Sequence, residues 1–272
     1  MWKKLWNEAA SLGAERPPLP PVTGHELASL PPAARAYMAF HGVVAGAPKH
    51  WSFCVGWTGR FRMAPDRPWM PVEAVQYDLR LPVARIFHMK ARMSRVLPVL
   101  VRDTYRDGRG RMLAKVADLI PLVDGGGSEL DIGELVTWLD DVVLFAPSML
   151  LGRATGWSHV DARTFDIGFT DRERTVRARV WVDRDGAPVD FETTDRYLSD
   201  PGDPKHRMIR GRWSTPVESW RRVGEQLIPV GAKATWHLRG GDFTYAELEP
   251  IAASLAFDVQ PSGPGVPLPR AA

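Results

Sequence analysis

The feature that most constrains the fold is one long amphipathic segment in the middle of the chain. Residues 128–145 (SELDIGELVTWLDDVVLF) carry apolar side chains at helical spacing, whereas the other long patterns alternate as strands do. The apolar stripe consists of Ile132, Leu135, Val136, Leu139, Val142 and Val143, widened by Trp138, Leu144 and Phe145. A helix this apolar must be buried against another element, so we expect it to pack on or inside a large sheet.

Strands are predicted on both sides of this helix. The clearest covers residues 51–63, where large apolar side chains alternate with small or polar ones. Further strands are predicted at residues 69–80, 84–93, 98–106, 111–123, 165–170, 175–183, 189–197, 208–214, 217–223, 226–238 and 243–260, the last broken at Pro250. A flat sheet of this width is unstable. The predicted fold is therefore mainly β: a strongly curved antiparallel half-barrel with one central helix, 128–151, against its concave face.

Two Asp-Gly pairs indicate hairpin turns. Asp185-Gly186 is typical of a two-residue hairpin, which would set Arg179 opposite Glu192 and so match their charges. The run at residues 107–110 (DGRG) could be mistaken for a phosphate-binding loop. It lies between two predicted strands, however, and precedes no helix. We therefore predict a hairpin at both places.

The domain organisation follows from composition. Residues 1–44 are predicted to form a helical arm and a proline-rich linker, residues 45–260 one half-barrel domain, and residues 261–272 a disordered Pro/Gly-rich tail. Within the arm, residues 1–12 predict a short amphipathic helix with Trp2, Leu5 and Trp6 on one side. We expect this helix to dock on the domain. The alternative is a weak contact with a membrane surface.

Composition and motif spacing limit the partners, the cellular compartment and the cofactors that we expect. Lys and Arg total 35 against 32 Asp and Glu, and the two signs are interspersed, which gives no electrostatic footprint for nucleic acid. The single cysteine, Cys54, forbids an internal disulfide and fits a reducing compartment. The sequence contains neither a secretory signal nor a membrane-spanning segment, so we expect a cytoplasmic protein. The seven histidines have no metal-ligand spacing, and we expect neither metal nor cofactor.

Three short motifs resemble those of a bacterial family known only as a domain of unknown function. They follow the patterns W-x-P-x-x-A-x-Q from Trp69 to Gln76, D-x-Y-x-x-G-x-G from Asp103 to Gly110, and F-x-P-x-x-L-L from Phe145 to Leu151. The resemblance spans about residues 30–257 and implies no activity. More distantly, the order of strands, central helix and further strands is similar to the periplasmic lipoprotein carriers. That likeness implies a half-barrel with a helix over its hollow, and fold alone does not fix function.

Asp103 and Tyr105 are the strongest candidates for chemistry. Strand alternation places both on the face that carries Val99 and Val101, so Asp103 would be a carboxylate on an apolar face. A desolvated carboxyl has a raised pKa and could act as an acid or base. The alternative is a structural role, in which an arginine or backbone donors satisfy the carboxylate.

Asp140 and Asp141 are a second candidate pair. Adjacent residues on a helix diverge by about 100°, so they are not expected to face one site together. We predict instead that they are solvated or paired with an arginine.

The remaining candidates for a functional site are large apolar side chains, which would line a cavity between the sheet and the helix. The predicted lining is Trp57, Phe61, Phe87, Met89, Met112, Trp138 and Trp236, with Met93 as a further adaptable residue. The sequence therefore favours a non-enzymatic binder or carrier of a hydrophobic or lipid-like molecule. The alternatives are an enzyme with Asp103 and Tyr105 as acid and base, and a membrane-peripheral structural protein.

Overall fold

The chain is built on a large antiparallel sheet in the computed structural model, which describes residues 1–13, 17–92, 98–117, 119–199, 207–224 and 226–261. The strands are β1 Ser52–Phe61, β2 Met70–Leu79, β3 Ala84–Arg92, β4 Pro98–Arg106, β5 Arg109–Val116, β6 Ile120–Gly126, β7 Thr155–Asp161, β8 Thr164–Asp171, β9 Arg174–Val182, β10 Pro188–Ser199, β11 Met208–Ser214, β12 Ser219–Val223, β13 Gln226–Val230, β14 Ala232–Leu238 and β15 Gly241–Phe257. In this described part, thirteen strands pair in the order β6-β5-β4-β3-β2-β1-β15-β14-β11-β10-β9-β8-β7, and β12 pairs with β13 separately.

Four α-helices accompany the sheet in the ranges that the structure covers. They are α1 Trp2–Ala10, α2 Gly24–Ala28, α3 Pro32–Phe40 and α4 Ser128–Phe145, and a 3-10 turn at Pro147–Leu150 follows α4. The bounds of α4 are those predicted from its apolar stripe. Its residues Leu135, Val136, Leu139, Val142 and Val143 are all buried.

The position of α4 requires the sheet to be strongly curled. The helix contacts β5 and β10, which lie eight strand positions apart in the sheet order. In a flat sheet they would be about 38 Å apart, farther than the roughly 27 Å length of an 18-residue helix. The sheet must therefore wrap around α4, and the predicted half-barrel with a helix in its concave face is confirmed.

The N-terminal helix α1 packs on the opposite, convex face. Leu5 and Ala9 are fully buried there against β2 and β3, and the Trp6 ring stands 5.7 Å from Tyr77, edge to face. Docking of the arm is thus confirmed. Leu5 on the apolar side of α1 is used in this contact, and Trp2 and Trp6 pack beside it while staying partly exposed. The alternative of a weak contact with a membrane surface stays a prediction.

Several strand boundaries differ from prediction where a turn residue was overlooked. Residues 111–123 form two strands because the chain reverses near Ala117, whose φ is 51°. Residues 226–238 likewise divide at Gly231, with φ 70°. β15 runs through Pro250 without a break, although its register with β1 shifts directly afterwards. Strand β7 was not predicted, and Met93 and residues 262–272 lie outside the described residues.

Both predicted hairpins form, although the turn at Asp185-Gly186 is longer than the two residues predicted. The Asp183 N–H donates to the Ala187 carbonyl across it, and a bulge between Pro188 and Asp190 restores the predicted register. Arg179 pairs with Glu192 across β9 and β10.

The β4–β5 turn has positive φ at Asp107 (56°) and Gly108 (76°), as a two-residue hairpin requires. Just beyond it, Gly110 packs against the first turn of α4, where a Cβ atom would stand 2.1 Å from the Leu130 carbonyl oxygen. Glycine at this position lets the hairpin seat the start of the helix.

Candidate functional site

A cavity of about 140 Å³, partly open to solvent, lies between the concave face of the sheet and α4. Its lining divides into an apolar wall, formed by the sheet and the end of α4, and a polar floor, where α4 meets β2, β3, β4 and β10. The apolar wall includes Trp57, Phe61, Phe87, Met89, Leu144 and Leu248. The floor includes Gln76, Arg85, Asp103, Glu134, Asp140, Asp141 and Arg196.

Four of the seven predicted lining residues border this cavity: Trp57, Phe61, Phe87 and Met89. The other three lie elsewhere. Trp138 is fully buried on another side of α4, where its indole N–H donates to the Leu79 carbonyl at 3.1 Å. Met112 is half-buried on β5, and Trp236 packs near Arg196 without bordering the cavity. The apolar wall therefore contains fewer of the large apolar residues than the sequence predicted.

Arg85 organises the floor. Its side chain is inward-facing on β3, two residues before Phe87, and stacks over the Phe87 ring at 4.9 Å. The guanidinium donates from Nε to Asp141 Oδ2 at 2.6 Å and from Nη1 to Glu134 Oε2 at 3.2 Å. Because Glu134 and Asp141 are seven residues apart, they share one face of α4 and can meet the same arginine. The pairing joins the helix to the sheet.

Asp140 also faces the cavity, although it neighbours Asp141 on the helix. The Thr215 hydroxyl donates to Asp140 Oδ1 at 2.6 Å. Burial, and then the charge of Asp141, raise the pKa of Asp140 well above its usual value. The expectation that the two aspartates would not face one site is therefore wrong, since a helix enclosed by a curled sheet presents more than one side to the same hollow. Asp141 is paired with an arginine as predicted, but neither residue is solvated.

Asp103 reaches the cavity from β4, opposite Met112 in the strand register. Its Oδ1 atom is buried and has no hydrogen-bond partner among the described residues. Burial, and then the nearby Glu134 carboxyl, raise the pKa of Asp103 to about 7, against the opposing charges of nearby arginines. Asp103 is therefore a carboxyl of the cavity floor whose pKa lies near neutral pH.

Tyr105 does not join Asp103 at the cavity. Its hydroxyl donates to Asp171 Oδ2 at 2.7 Å, which ties β4 to the β8–β9 turn. Burial and this hydrogen bond raise the pKa of Tyr105. The two residues share a strand face but not a site, because Tyr105 lies about 7 Å farther along β4, where its hydroxyl is bound to Asp171.

A buried polar chain runs from the wall into the floor. The Trp57 indole N–H donates to Gln76 Oε1 at 3.0 Å, and Gln76 Nε2 donates to Asp78 Oδ2 at 2.6 Å. Asp78 is fully buried behind the cavity, and its Oδ1 has no partner in the described part of the chain. This chain fixes the orientation of the Trp57 ring.

Four floor residues were not predicted as site residues from the sequence: Gln76, Arg85, Glu134 and Arg196. Arg196 is the hardest of them to place. Its guanidinium lies 4.0 Å from the Trp213 ring centre, and its Nη1 is buried without a hydrogen-bond partner in the described structure. A β-bulge in β10 between Thr193 and Arg196 shifts the register against β11. Strict alternation from Phe191 would send Arg196 outward, whereas the bulge turns it into the cavity.

Within the ranges that the structure describes, no group of histidine, cysteine, aspartate or glutamate side chains is arranged to hold a metal ion. The described helices include none with the length and apolarity needed to cross a membrane. Cys54 is buried in β1, and burial raises the pKa of its thiol to about 12. The cavity is thus the candidate functional site, because it brings together buried carboxyls with raised pKa values and buried polar atoms without partners in the described residues.

Two solved structures share part of this fold. A domain from Vibrio parahaemolyticus, described as an outer membrane lipoprotein-sorting protein domain, is 12% identical, with a TM-score of 0.41; the match covers 76% of this chain and 86% of that one. A DUF1329 family protein from Desulfovibrio piger is 13% identical, with a TM-score of 0.43, and the match covers 84% of this chain and 94% of the other. At these TM-scores neither likeness bears on what the chain binds.

No curated protein matches the sequence. A family model does match it, over residues 20–248. This range contains all three motifs described above: residues 69–76 and 103–110 in the first half of the sheet, and residues 145–151 at the end of α4. The resemblance to a family of unknown function is thereby confirmed. The chain belongs to the family of unknown function DUF6544.

Proposed function

We propose that this chain is a binding protein that holds the hydrophobic part of a small molecule in the cavity between the sheet and α4. The observation that carries the proposal is a pre-formed cavity with an apolar wall and a few convergent polar groups, which is the usual composition of a ligand site. Two of those groups, Asp103 Oδ1 and Arg196 Nη1, are buried and have no hydrogen-bond partner within the ranges that the structure describes. Such atoms are costly to leave unsatisfied, and a ligand would satisfy them.

The size of the cavity limits the ligand. Its 140 Å³ is close to the roughly 150 Å³ of an engineered apolar cavity that binds benzene. One aromatic ring or a short alkyl chain fits within it. A longer, lipid-like chain would have to leave through the open side, so we propose a small amphiphilic ligand, or the end of a larger one.

A titration with 1-hexanol, followed by NMR of the methionine methyl groups, tests this proposal. Met89 lines the apolar wall, and Met38 is buried on α3, outside the cavity. Binding in the cavity is expected to shift the Met89 methyl resonance with saturation and to leave Met38 unchanged. Equal shifts at both residues, or none at Met89, would contradict the proposal.

A cavity-filling variant supplies the control. Ala234 borders the cavity, and Ala234→Phe is expected to occupy its volume and abolish the Met89 shift. Val189→Phe introduces the same ring on an exposed position of β10 and is expected to bind 1-hexanol as the unaltered protein does. Both variants should first show a cooperative urea transition.

A second candidate function is an enzyme acting on a hydrophobic substrate, with Asp103 as general acid or base. The observation that favours it is the pKa of about 7, because a general acid or base works best near the pH of the reaction. Tyr105 is not a partner in this version, since its hydroxyl is bound to Asp171. If a cell extract incubated with the protein loses a compound that persists with Asp103→Asn, catalysis is supported; unchanged recovery of all compounds favours binding alone.

A further inference from the structure

We infer that the polar end of the ligand is an organic cation, a protonated amine, which donates hydrogen bonds to Asp103. This inference rests on the proposed binding function and specifies its ligand class. It follows from the balance of charged groups around the cavity, from the unpartnered carboxylate oxygen, and from the aromatic rings beside it.

The charged groups that face the cavity are dominated by carboxyls. Asp103 contributes from β4, and α4 contributes Glu134, Asp140 and Asp141. The facing cations are Arg85 on β3, Arg196 on β10 and Lys233 on β14. Lys233 is bound to the exposed Glu218 at 2.5 Å and does not offset the floor. Asp140 is left out of the charge balance, because burial raises its pKa well above the usual value and favours the neutral form. When ionised, Asp103, Glu134 and Asp141 still outnumber the two guanidinium groups, so the floor has a deficit of positive charge.

The hydrogen-bond partners of Arg85 and Asp103 also favour a cationic ligand. Arg85 donates from Nε to Asp141 and from Nη1 to Glu134, so an anionic ligand at Arg85 would compete with two carboxylates that are already bound there. Asp103 Oδ1, by contrast, is buried with no donor from the described residues. A carboxylate accepts hydrogen bonds only, and an ammonium group offers three donors and no acceptor. The two are complementary, and a charge-assisted hydrogen bond between them would be among the stronger kinds.

Arg196 is the group that could favour an anion instead, because its Nη1 lacks a partner. Its guanidinium is stacked on Trp213, and its positive charge partly opposes the rise in pKa that burial causes at Asp103, Glu134, Asp140 and Asp141. An anion bound at Arg196 would therefore stand among these carboxyls and be repelled by them. A cation bound at Asp103 would instead be attracted by the same carboxyls.

The wall next to this floor also suits a cation. Trp57, Phe61 and Phe87 present aromatic rings to the same cavity. Aromatic ring faces attract ammonium groups, and they pack equally well against the alkyl part of an amine. A metal ion is a poorer fit, since the described side chains form no metal-binding group.

Three compounds with the same six-carbon chain test the inference: n-hexylamine, 1-hexanol and hexanoate, each titrated into the full-length protein at about pH 8, where Asp103 is ionised. Dissociation constants are measured from the Met89 methyl shift. We expect n-hexylamine to bind about tenfold or more tightly than 1-hexanol, as one charge-assisted hydrogen bond would give. Hexanoate should bind more weakly than either.

A pair of neutral variants locates the interaction. Asp103→Asn is expected to weaken n-hexylamine binding about tenfold and to change 1-hexanol binding less than about twofold. Asp190→Asn is the matched control, because Asp190 Oδ1 on β10 is likewise buried without a partner among the described residues but does not border the cavity. It should leave both affinities within about twofold. The neutral amide avoids a new buried charge, so both variants are expected to fold.

The outcomes separate the two proposals. If 1-hexanol or hexanoate binds as tightly as n-hexylamine, or if Asp103→Asn leaves n-hexylamine binding unchanged, the cation inference is wrong while the binding function stands. If none of the three compounds shifts Met89, the binding function fails, and the inference fails with it.

Discussion

At the scale of single residues, Arg85 holds the polar floor together. Its guanidinium and both carboxylates that it contacts are at least nine-tenths buried. A buried ion pair contributes little beyond an apolar contact of the same size, yet removing one partner is costly because an uncompensated charge remains. The floor therefore depends on Arg85 far more than its two hydrogen bonds would suggest.

Arg85→Met tests this dependence. The variant leaves Glu134 and Asp141 buried without their cation, and we expect the free energy of unfolding in urea to fall by about 3–5 kcal/mol at neutral pH. Arg92→Met is the matched control on the same strand, since Arg92 pairs with Glu73 on an exposed surface. Its loss should be less than about 1 kcal/mol. Equal losses in the two variants would contradict the assigned role of Arg85.

Asp103 makes the stability of the protein depend on pH. Its pKa is raised from 3.8 to about 7 in the folded state. Its contribution to stability is thus fully present below its ordinary pKa and is lost as the pH rises through about 7. Asp103→Asn lacks this loss, so its free energy of unfolding, relative to the unaltered protein, should rise by about 2–4 kcal/mol between about pH 4 and pH 8. A difference that stays flat over this range would show that Asp103 is not desolvated.

The residues of the floor were predictable from sequence only in part. Arg85 shares strand parity with Phe87 and Met89, so alternation alone could have placed it inside. Arg196 could not be placed in this way, because the bulge after Thr193 reverses the parity of β10. Register shifts of this kind depend on pairing with a distant strand and leave no period in the local sequence.

At the scale of elements, the hairpin of β4 and β5 positions α4. Besides the close approach at Gly110, the Gly110 N–H donates to Asp131 Oδ1 at 2.7 Å, and Arg174 donates to Asp131 Oδ2 at 2.7 Å. Asp131 thus joins the start of α4 to both halves of the sheet. Because Glu134 and Asp141 are on the same helix, this anchor also sets the depth of the cavity floor.

Gly110→Ala tests the anchor. The added Cβ atom would overlap the Leu130 carbonyl, a backbone atom that cannot rotate away, and we expect a loss of about 1–3 kcal/mol in urea unfolding. Gly156→Ala is the control, because a Cβ atom there meets nothing within 4 Å. It should change stability by less than about 0.5 kcal/mol. A Gly110→Ala protein as stable as the control would mean that the hairpin and helix are not in contact.

Sequence periodicity predicted the elements best where burial was one-sided or continuous. The helix at residues 128–145 has the predicted bounds because its apolar stripe runs its full length. Strand β7 was missed because its sequence, TGWSHVD, has one large apolar residue and is largely exposed. The divisions at Ala117 and Gly231 were missed because apolar residues continue on both sides of each turn and resemble one strand.

At the scale of the whole molecule, helices cover both faces of one sheet. On the convex face, α1 is fastened by Glu8, which accepts a hydrogen bond from His88 at 2.9 Å and is also paired with Arg102. Burial alone would raise the pKa of Glu8, but these partners lower it to about 2. The ionised form of Glu8 is therefore the one that holds α1 in place.

Glu8→Gln should weaken this attachment in a pH-dependent way. Because the pKa is depressed from 4.5 to about 2 on folding, the stabilisation is fully present above pH 4.5 and declines as the pH falls towards 2. We expect a loss of up to about 1 kcal/mol at neutral pH, since Glu8 is only partly buried, and a smaller one near pH 3. Urea unfolding of both proteins across this range measures it. A loss independent of pH would assign the effect to packing of α1.

The proposed function depends most on the cavity between α4 and the sheet being a ligand site. A crystal structure of the protein grown with n-hexylamine tests this most directly. We predict density for the amine within about 3 Å of Asp103, with its alkyl chain against Trp57 and Phe61. A structure in which water or repacked side chains fill the cavity at saturating n-hexylamine would contradict the claim.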